Sequence, residues 1–230
     1  MTAEISAADK QLLKARALWK HTTVRNRVRP PLKLALAEMA PGRGRCMYCG
    51  DNEGADIDHF EPMGVTPLRT YDWNNHLWAC SICNSHMKRD QFPISANGDP
   101  LLLNPVIDDP GQHLHLALAA GEYIALTKRG ESTIEVFELN RAVLSRGRRH
   151  ALGVVSMAIK NWQNDKWRAD LVGMRLCVDL IREQPFADVA TAMLHQAHEP
   201  SALSLFSFQP ELVPILRDSE LRESLGITPA

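Results

Sequence analysis

Cys46-Met-Tyr-Cys49 and Cys80-Ser-Ile-Cys83, with Asp58-His59 between them, Asn75 five residues before the second pair and Asn84 directly after it, decide how this chain of 230 residues is read. Two Cys-x-x-Cys pairs with thirty residues between them have the ligand spacing of a closed, tetrahedral four-thiolate zinc site. Each pair forms a short knuckle, so a zinc ion held by Cys46, Cys49, Cys80 and Cys83 would tie two distant pieces of backbone together. The ordered series His59, Asn75, Asn84 is then fixed relative to that staple.

Working outward, Ala55 to Glu61 reads as a strand and Met63 to Thr70 as a loop. A helix is predicted from near Cys80 to a stop before Phe92-Pro93. Trp73 and Trp78 are expected to pack this small unit, which has little other core. Neighbouring residues on a regular strand point to opposite faces, so Asp58 and His59 share one site only where the strand bends. His86 lies two residues beyond Asn84, about 200° around a helix, so one ion would not reach both. Lys88 is read as a helix-face charge or a phosphate contact.

Asp58-His59, Asn75-x-x-x-x-Cys80-x-x-Cys83-Asn84 and Lys88 together resemble the motif of the HNH endonucleases. That resemblance implies an α+β fold: a ββα-metal finger with a structural zinc, flanked by mainly helical N- and C-terminal segments. It also implies phosphodiester hydrolysis in DNA. His59 would be the general base, which suits an imidazole titrating near neutral pH. Asp58 and Asn84 would bind a separate catalytic divalent metal, Mg2+ by default, that polarises the phosphate. Asn75 would orient His59 or brace its loop. The catalytic set is then His59, Asn75 and Asn84. Tyr71-Asp-Trp73-Asn-Asn75, Phe92-Pro93, Leu103-Asn104-Pro105, Asp108-Asp109-Pro110 and Leu139-Asn140-Arg141 further resemble the HNH subunit of Septu and retron-type anti-phage systems, which implies an ATPase partner and a defence role.

The division expected is a basic helical segment over residues 1–45, the HNH core over 46–95, and a hairpin and helical region over 96–230. Helices are predicted at Ser6 to Lys20 and from Pro30-Pro31 to Pro41, with a basic linker at Thr22 to Arg29. A hairpin is predicted around Ala120-Gly121, and Thr133 to Phe137 alternates like a third strand. Apolar stripes predict helices from Asn140 to His195, followed by a mobile tail after Pro200. Cys177 lies on such a stripe and reads as a core thiol. His113 and His115 read as surface or core residues.

The net charge of −1 conceals an asymmetry. Residues 10–45 hold ten Lys or Arg and one acidic residue, whereas residues 178–230 hold eight Asp or Glu and three Arg. Positive charge beside the His59 stretch suits a phosphate backbone. No apolar run is long enough for a membrane span, and Met1-Thr-Ala-Glu-Ile has no secretory-signal pattern. Five cysteines, four of them in knuckles, suit a reducing cytoplasm. A different class of function fits the same cysteines and basic segment: a non-catalytic zinc-ribbon nucleic-acid-binding or scaffold protein, which has no need of Asp58-His59 with Asn75 and Asn84.

Overall fold

The structure, a computed structural model, describes residues 6–226. Helix α1 (Ala7–Lys20) starts where the Ser6 hydroxyl accepts the Asp9 amide, satisfying one of the first-turn donors. The expected linker is itself helical over Val24–Val28 and runs into α2 (Arg29–Met39). No Gly or Pro interrupts residues 21–28, and Pro30-Pro31 falls in the first turn of α2, where a missing N–H costs little.

Strand β1 (Asp56–His59) pairs antiparallel with β2 (His76–Ala79), with Asp58 opposite Leu77 and His59 opposite His76. A short helix, α3 (Ile82–Lys88), follows at once and is wound wide, its end closed by the Arg89 amide donating to the Asn84 carbonyl at 2.8 Å. The two-stranded sheet has a distinct core on each side. One face, with Leu77 and Ala79, joins the main core; the other, with Ile57 and Trp78, packs on Trp19 and Leu36 of the N-terminal helices.

A second hairpin pairs β3 (Leu114–Ala117) with β4 (Glu122–Ala125). Gly121 turns it at φ +70°, and a side chain there would collide with the Ser145 carbonyl. Thr133 to Phe137, expected as a strand, lies instead in α4 (Lys128–Phe137). The Thr127 hydroxyl caps that helix by accepting the Gly130 amide, and Gly130, Thr133 and Phe137 form a buried helical face. The alternation was too short to separate the two periods.

The main core is built on α5 (Ala142–Trp167), whose Leu144, Leu152, Val155, Ile159 and Trp162 are buried. Helix α6 (Leu171–Glu183) packs back along it through Met174, Cys177, Val178 and Ile181. Helix α7 (Ala187–Gln196) closes one end. Residues 201–226 are not a loose tail: α8 (Ala202–Leu205), α9 (Leu212–Leu216) and α10 (Ser219–Ser224) bury Phe206, Leu212, Val213, Leu216 and Leu221 in the same core. The apolar residues there are sparse enough to resemble a tail, but these five converge on one place. Residues 227–230 lie outside the described residues, as do 1–5.

Candidate metal centre and the His59 site

The first knuckle is closed by the Gly50 amide donating to the Cys46 carbonyl at 2.9 Å, with Gly50 at φ +68°. The second is closed by the Asn84 amide on the Cys80 carbonyl at 2.9 Å and by the Cys83 amide on the Cys80 sulfur at 3.4 Å. The Met47 amide donates to the Trp78 carbonyl at 2.9 Å, which lays the first knuckle beside β2. These bonds bring all four sulfurs within 4.8 Å of one another, fully buried in the main core. A tetrahedral zinc with bonds near 2.3 Å needs sulfurs about 3.8 Å apart, and Cys49 and Cys80 stand at 4.0 Å. The crowded sulfurs differ in acidity. Hydrogen bonding within the cluster draws Cys49 down and Cys80 to about 7, and pushes Cys46 and Cys83 up. Four thiolates at this separation repel unless a cation joins them, so the donor set fits a zinc ion.

His59 ends β1 and is buried on the side facing the N-terminal helices. Its Nε2 lies 3.0 Å from the Thr70 carbonyl oxygen, and the Nε2 of His76 lies 3.0 Å from that same oxygen. A carbonyl only accepts, so both imidazoles carry their proton on Nε2 and keep the Nδ1 lone pair. Burial, partly offset by the Thr70 bond, lowers His59 to about 4 and lowers His76 as well. Both are neutral at pH 7, but His59 does not titrate near neutral pH as expected of an ordinary imidazole, because the fold has taken it out of water.

Asn75 holds the loop that presents Thr70. Its Oδ1 accepts the Glu61 amide at 2.8 Å, and its Nδ2 donates to the carbonyls of Glu61 and Arg69, each at 3.1 Å. Arg69 pairs with Glu61 and Asp72 across the same loop. The path from Asn75 to Arg69, to the neighbouring Thr70 carbonyl and so to His59 is continuous.

Asp58 points the other way. It lies on the main-core face of β1, where the Tyr48 hydroxyl donates to it at 2.6 Å and the Lys88 ammonium stands 3.0 Å away. Lys88 also donates to the His59 carbonyl at 2.7 Å and is completely buried. Burial pushes the Asp58 carboxyl up against the opposing pull of Lys88 and Tyr48. The strand does not bend, so Asp58 and His59 are not brought to one site, and both Asp58 oxygens are engaged. Asn84 is half-buried at the start of α3, and His86 is exposed with Nδ1 3.1 Å from the Ser81 carbonyl. Lys88 is therefore neither a helix-face charge nor free for phosphate. Trp78 packs as expected, its Nε1 donating to the Gly44 carbonyl at 2.9 Å, whereas Trp73 is exposed.

Two residues that the motifs do not mark belong here. His76 is one: it follows Asn75 directly at the start of β2, and only the strand register, set by the fold, places it opposite His59. Trp19 is the other. Its ring meets His59 edge-on at 4.7 Å and stacks near His76 at 5.6 Å. Nothing local in α1 singles it out.

Over 135 residues the chain is 31% identical to the Septu protein PtuB of Bacillus mycoides, an alignment covering 46% of this chain and 46% of that protein. The chain thus spans under half the length of the curated relative it matches. No described family matches the chain, and no solved structure does. Among the described residues no helix is long and apolar enough to cross a membrane. The likeness to PtuB and the buried four-cysteine cluster fit a Septu-like component.

Proposed function

We propose that the chain is an HNH-type endonuclease, its β1–β2–α3 unit a zinc-stapled ββα finger, that hydrolyses phosphodiester bonds in DNA in anti-phage defence. The observation that supports this most is the treatment of His59. A general base needs a fixed ring with a free lone pair, and the Thr70 carbonyl supplies both by accepting a hydrogen bond from Nε2–H, which leaves the lone pair on Nδ1. Nδ1 is then the atom that receives the proton of an attacking water. Asn75 is a positioning residue in this reading, acting through the loop that aims Thr70.

The exposed Arg25 and Arg27, with Arg29 and Lys33 behind them, lie on the helices that border His59 and offer a phosphate backbone its counter-charge. A catalytic divalent ion, Mg2+ by default, would polarise the phosphate when bound; Asp58 and Asn84 are the residues expected to hold it. Asp58 lies on the opposite face of β1 from His59 and is paired with Lys88, so as placed it does not fit that ion and no step is drawn through it. The likeness to PtuB supports a partner subunit, an ATPase in this reading. Trp167, Leu171, Val172 and Leu176 stand exposed along the end of the α5–α6 pair, and apolar surface of that kind suits a protein rather than nucleic acid.

Two contacts favour a second reading. Asp58 is sealed by Lys88, and His59 lies under Trp19. A non-catalytic zinc-held nucleic-acid-binding protein would tolerate both. Incubating zinc-loaded protein with plasmid and Mg2+, Mn2+, Ni2+ or Ca2+, beside its His59→Ala variant, separates the two: cleavage lost in the variant supports the nuclease, and DNA binding without metal-dependent cleavage supports the other.

A further inference from the structure

The imidazoles of His59 and His76 are the only histidine pair in ring contact among the described residues, and one side chain from elsewhere covers both. That side chain is Trp19, which also lies 5.9 Å from the Tyr71 ring and carries the Arg29 guanidinium 5.3 Å from its own ring. His76 is 5% exposed and its Nδ1 is buried with no hydrogen-bond partner. An imidazole nitrogen is not left so without a cost, because a buried acceptor has given up its water. The ring that carries this unsatisfied atom is the one stacked near the Trp19 indole.

The helix that brings Trp19 is thinly attached. Of the fourteen residues of α1, only Ala15 and Trp19 are buried, one turn apart on a single line. Leu13 and Leu18 point to solvent. Its charged residues are Lys10, Lys14, Arg16 and Lys20 against Asp9 alone, and no ion pair among the described residues involves them. A helix anchored by only two buried residues, basic over its free surface, opens more readily than the core beneath it and is drawn towards a polyanion.

We propose that α1 is a displaceable cap: Trp19 closes the His59–His76 pair in the isolated chain, and the site admits a phosphodiester only when α1 swings away. The cap rests on the reading of His59 as the working base, and adds to it the reason why that base is covered. Uncapping frees the face of the His59 ring and gives the unpaired His76 Nδ1 access to water or to a donor on the substrate. Phosphate held by Lys14, Arg16 and Lys20 favours the open position, so the substrate itself helps to lift the cap.

The test reads the cap without relying on cleavage. Zinc-loaded wild type, Trp19→Ala and Ala15→Glu are treated with diethyl pyrocarbonate at pH 7, and carbethoxylation of each histidine is followed by peptide mass spectrometry. Exposed His86 is the internal reference. Ala15→Glu keeps the indole but forces a charge into the interface, so the pair of variants separates lifting the cap from deleting the ring. Zinc content and circular dichroism establish that each variant is folded. The cap predicts that His59 and His76 react at least about tenfold more slowly than His86 in wild type, and approach it in both variants, since reactivity scales with the open fraction. Equal rates for His59 in wild type and in either folded variant would overturn it. Plasmid cleavage is measured on the same samples. Uncapped histidines with no cleavage leave the cap standing and count against the nuclease.

Discussion

Lys88 and Asp58 form a buried ion pair, 3.0 Å apart, that also fastens the His59 carbonyl. It joins α3 to β1 beneath the candidate base, so the two strands and the helix are held by charge as well as by the cysteine cluster. Removing one partner strands the other. Lys88→Met is expected to destabilise the fold by about 3–5 kcal/mol, whereas adding Asp58→Asn to it should restore part of that loss. Urea unfolding of both single variants and the double variant measures the coupling; additive losses would mean that the pair is not coupled.

The cysteine cluster gives the second prediction. One zinc per chain is expected, and Cys80→Ser should lose it together with the soluble fold, because zinc binding in small modules supplies on the order of 10 kcal/mol of folding free energy. Elemental analysis and solubility report this. A folded wild-type preparation free of zinc would contradict it.

Stability should fall at mildly acid pH. Burial holds the folded His59 near 4, below the roughly 6.5 of an unfolded histidine, and lowers His76 in the same direction. The neutral form is the one the fold prefers, so its contribution is fully present above pH 6.5. It is lost as the pH falls from there towards 4, by about 3 kcal/mol for His59. Urea midpoints at pH 7.5 and pH 5 should differ more in wild type than in His59→Gln. Equal differences would place the loss elsewhere.

The N-terminal arm is expected to bind phosphate. Changing Arg25, Arg27 and Arg29 to Glu should weaken DNA binding and lessen its dependence on salt, by about 0.7–0.9 in the log–log slope for each phosphate that is no longer neutralised. Fluorescence anisotropy at several salt concentrations gives that slope, and an unchanged value would make the run a solvated helix face.

Much of this was legible in the chain because it depends on short-range pattern. The knuckles, the strand between them and the helices of 142–196 follow from spacing and period. Asn75 as the brace of a loop came from the resemblance to the HNH motif; in the fold it works because an Asn side chain can satisfy several backbone groups at once. What could not be read depended on which distant element lands on which face. The opposite orientations of Asp58 and His59 followed from a regular strand, but Lys88 as the partner of Asp58 needed the return of α3 beneath β1. Trp19 on His59 joins residues forty apart with no local signal. Asn104, Asp108 and Asn140, which stand in the sequence as family marks, act here as structural anchors. Asp108 accepts the Asn104 amide at 2.7 Å and pairs with Arg129, and Asn140 bonds both backbone groups of Tyr123.

The central claim is that His59 is the base of a metal-dependent nuclease. The most direct measurement is plasmid cleavage by zinc-loaded Ala15→Glu, in which the cap is lifted, against the same protein carrying His59→Ala, with divalent metal present and DNA binding measured in parallel. The account predicts nicking or linearisation by the first and a loss of at least about a hundredfold in the second, the scale of general-base catalysis, with binding unchanged. Cleavage that persists undiminished in the His59→Ala protein, or its absence from both while DNA is bound, would contradict it.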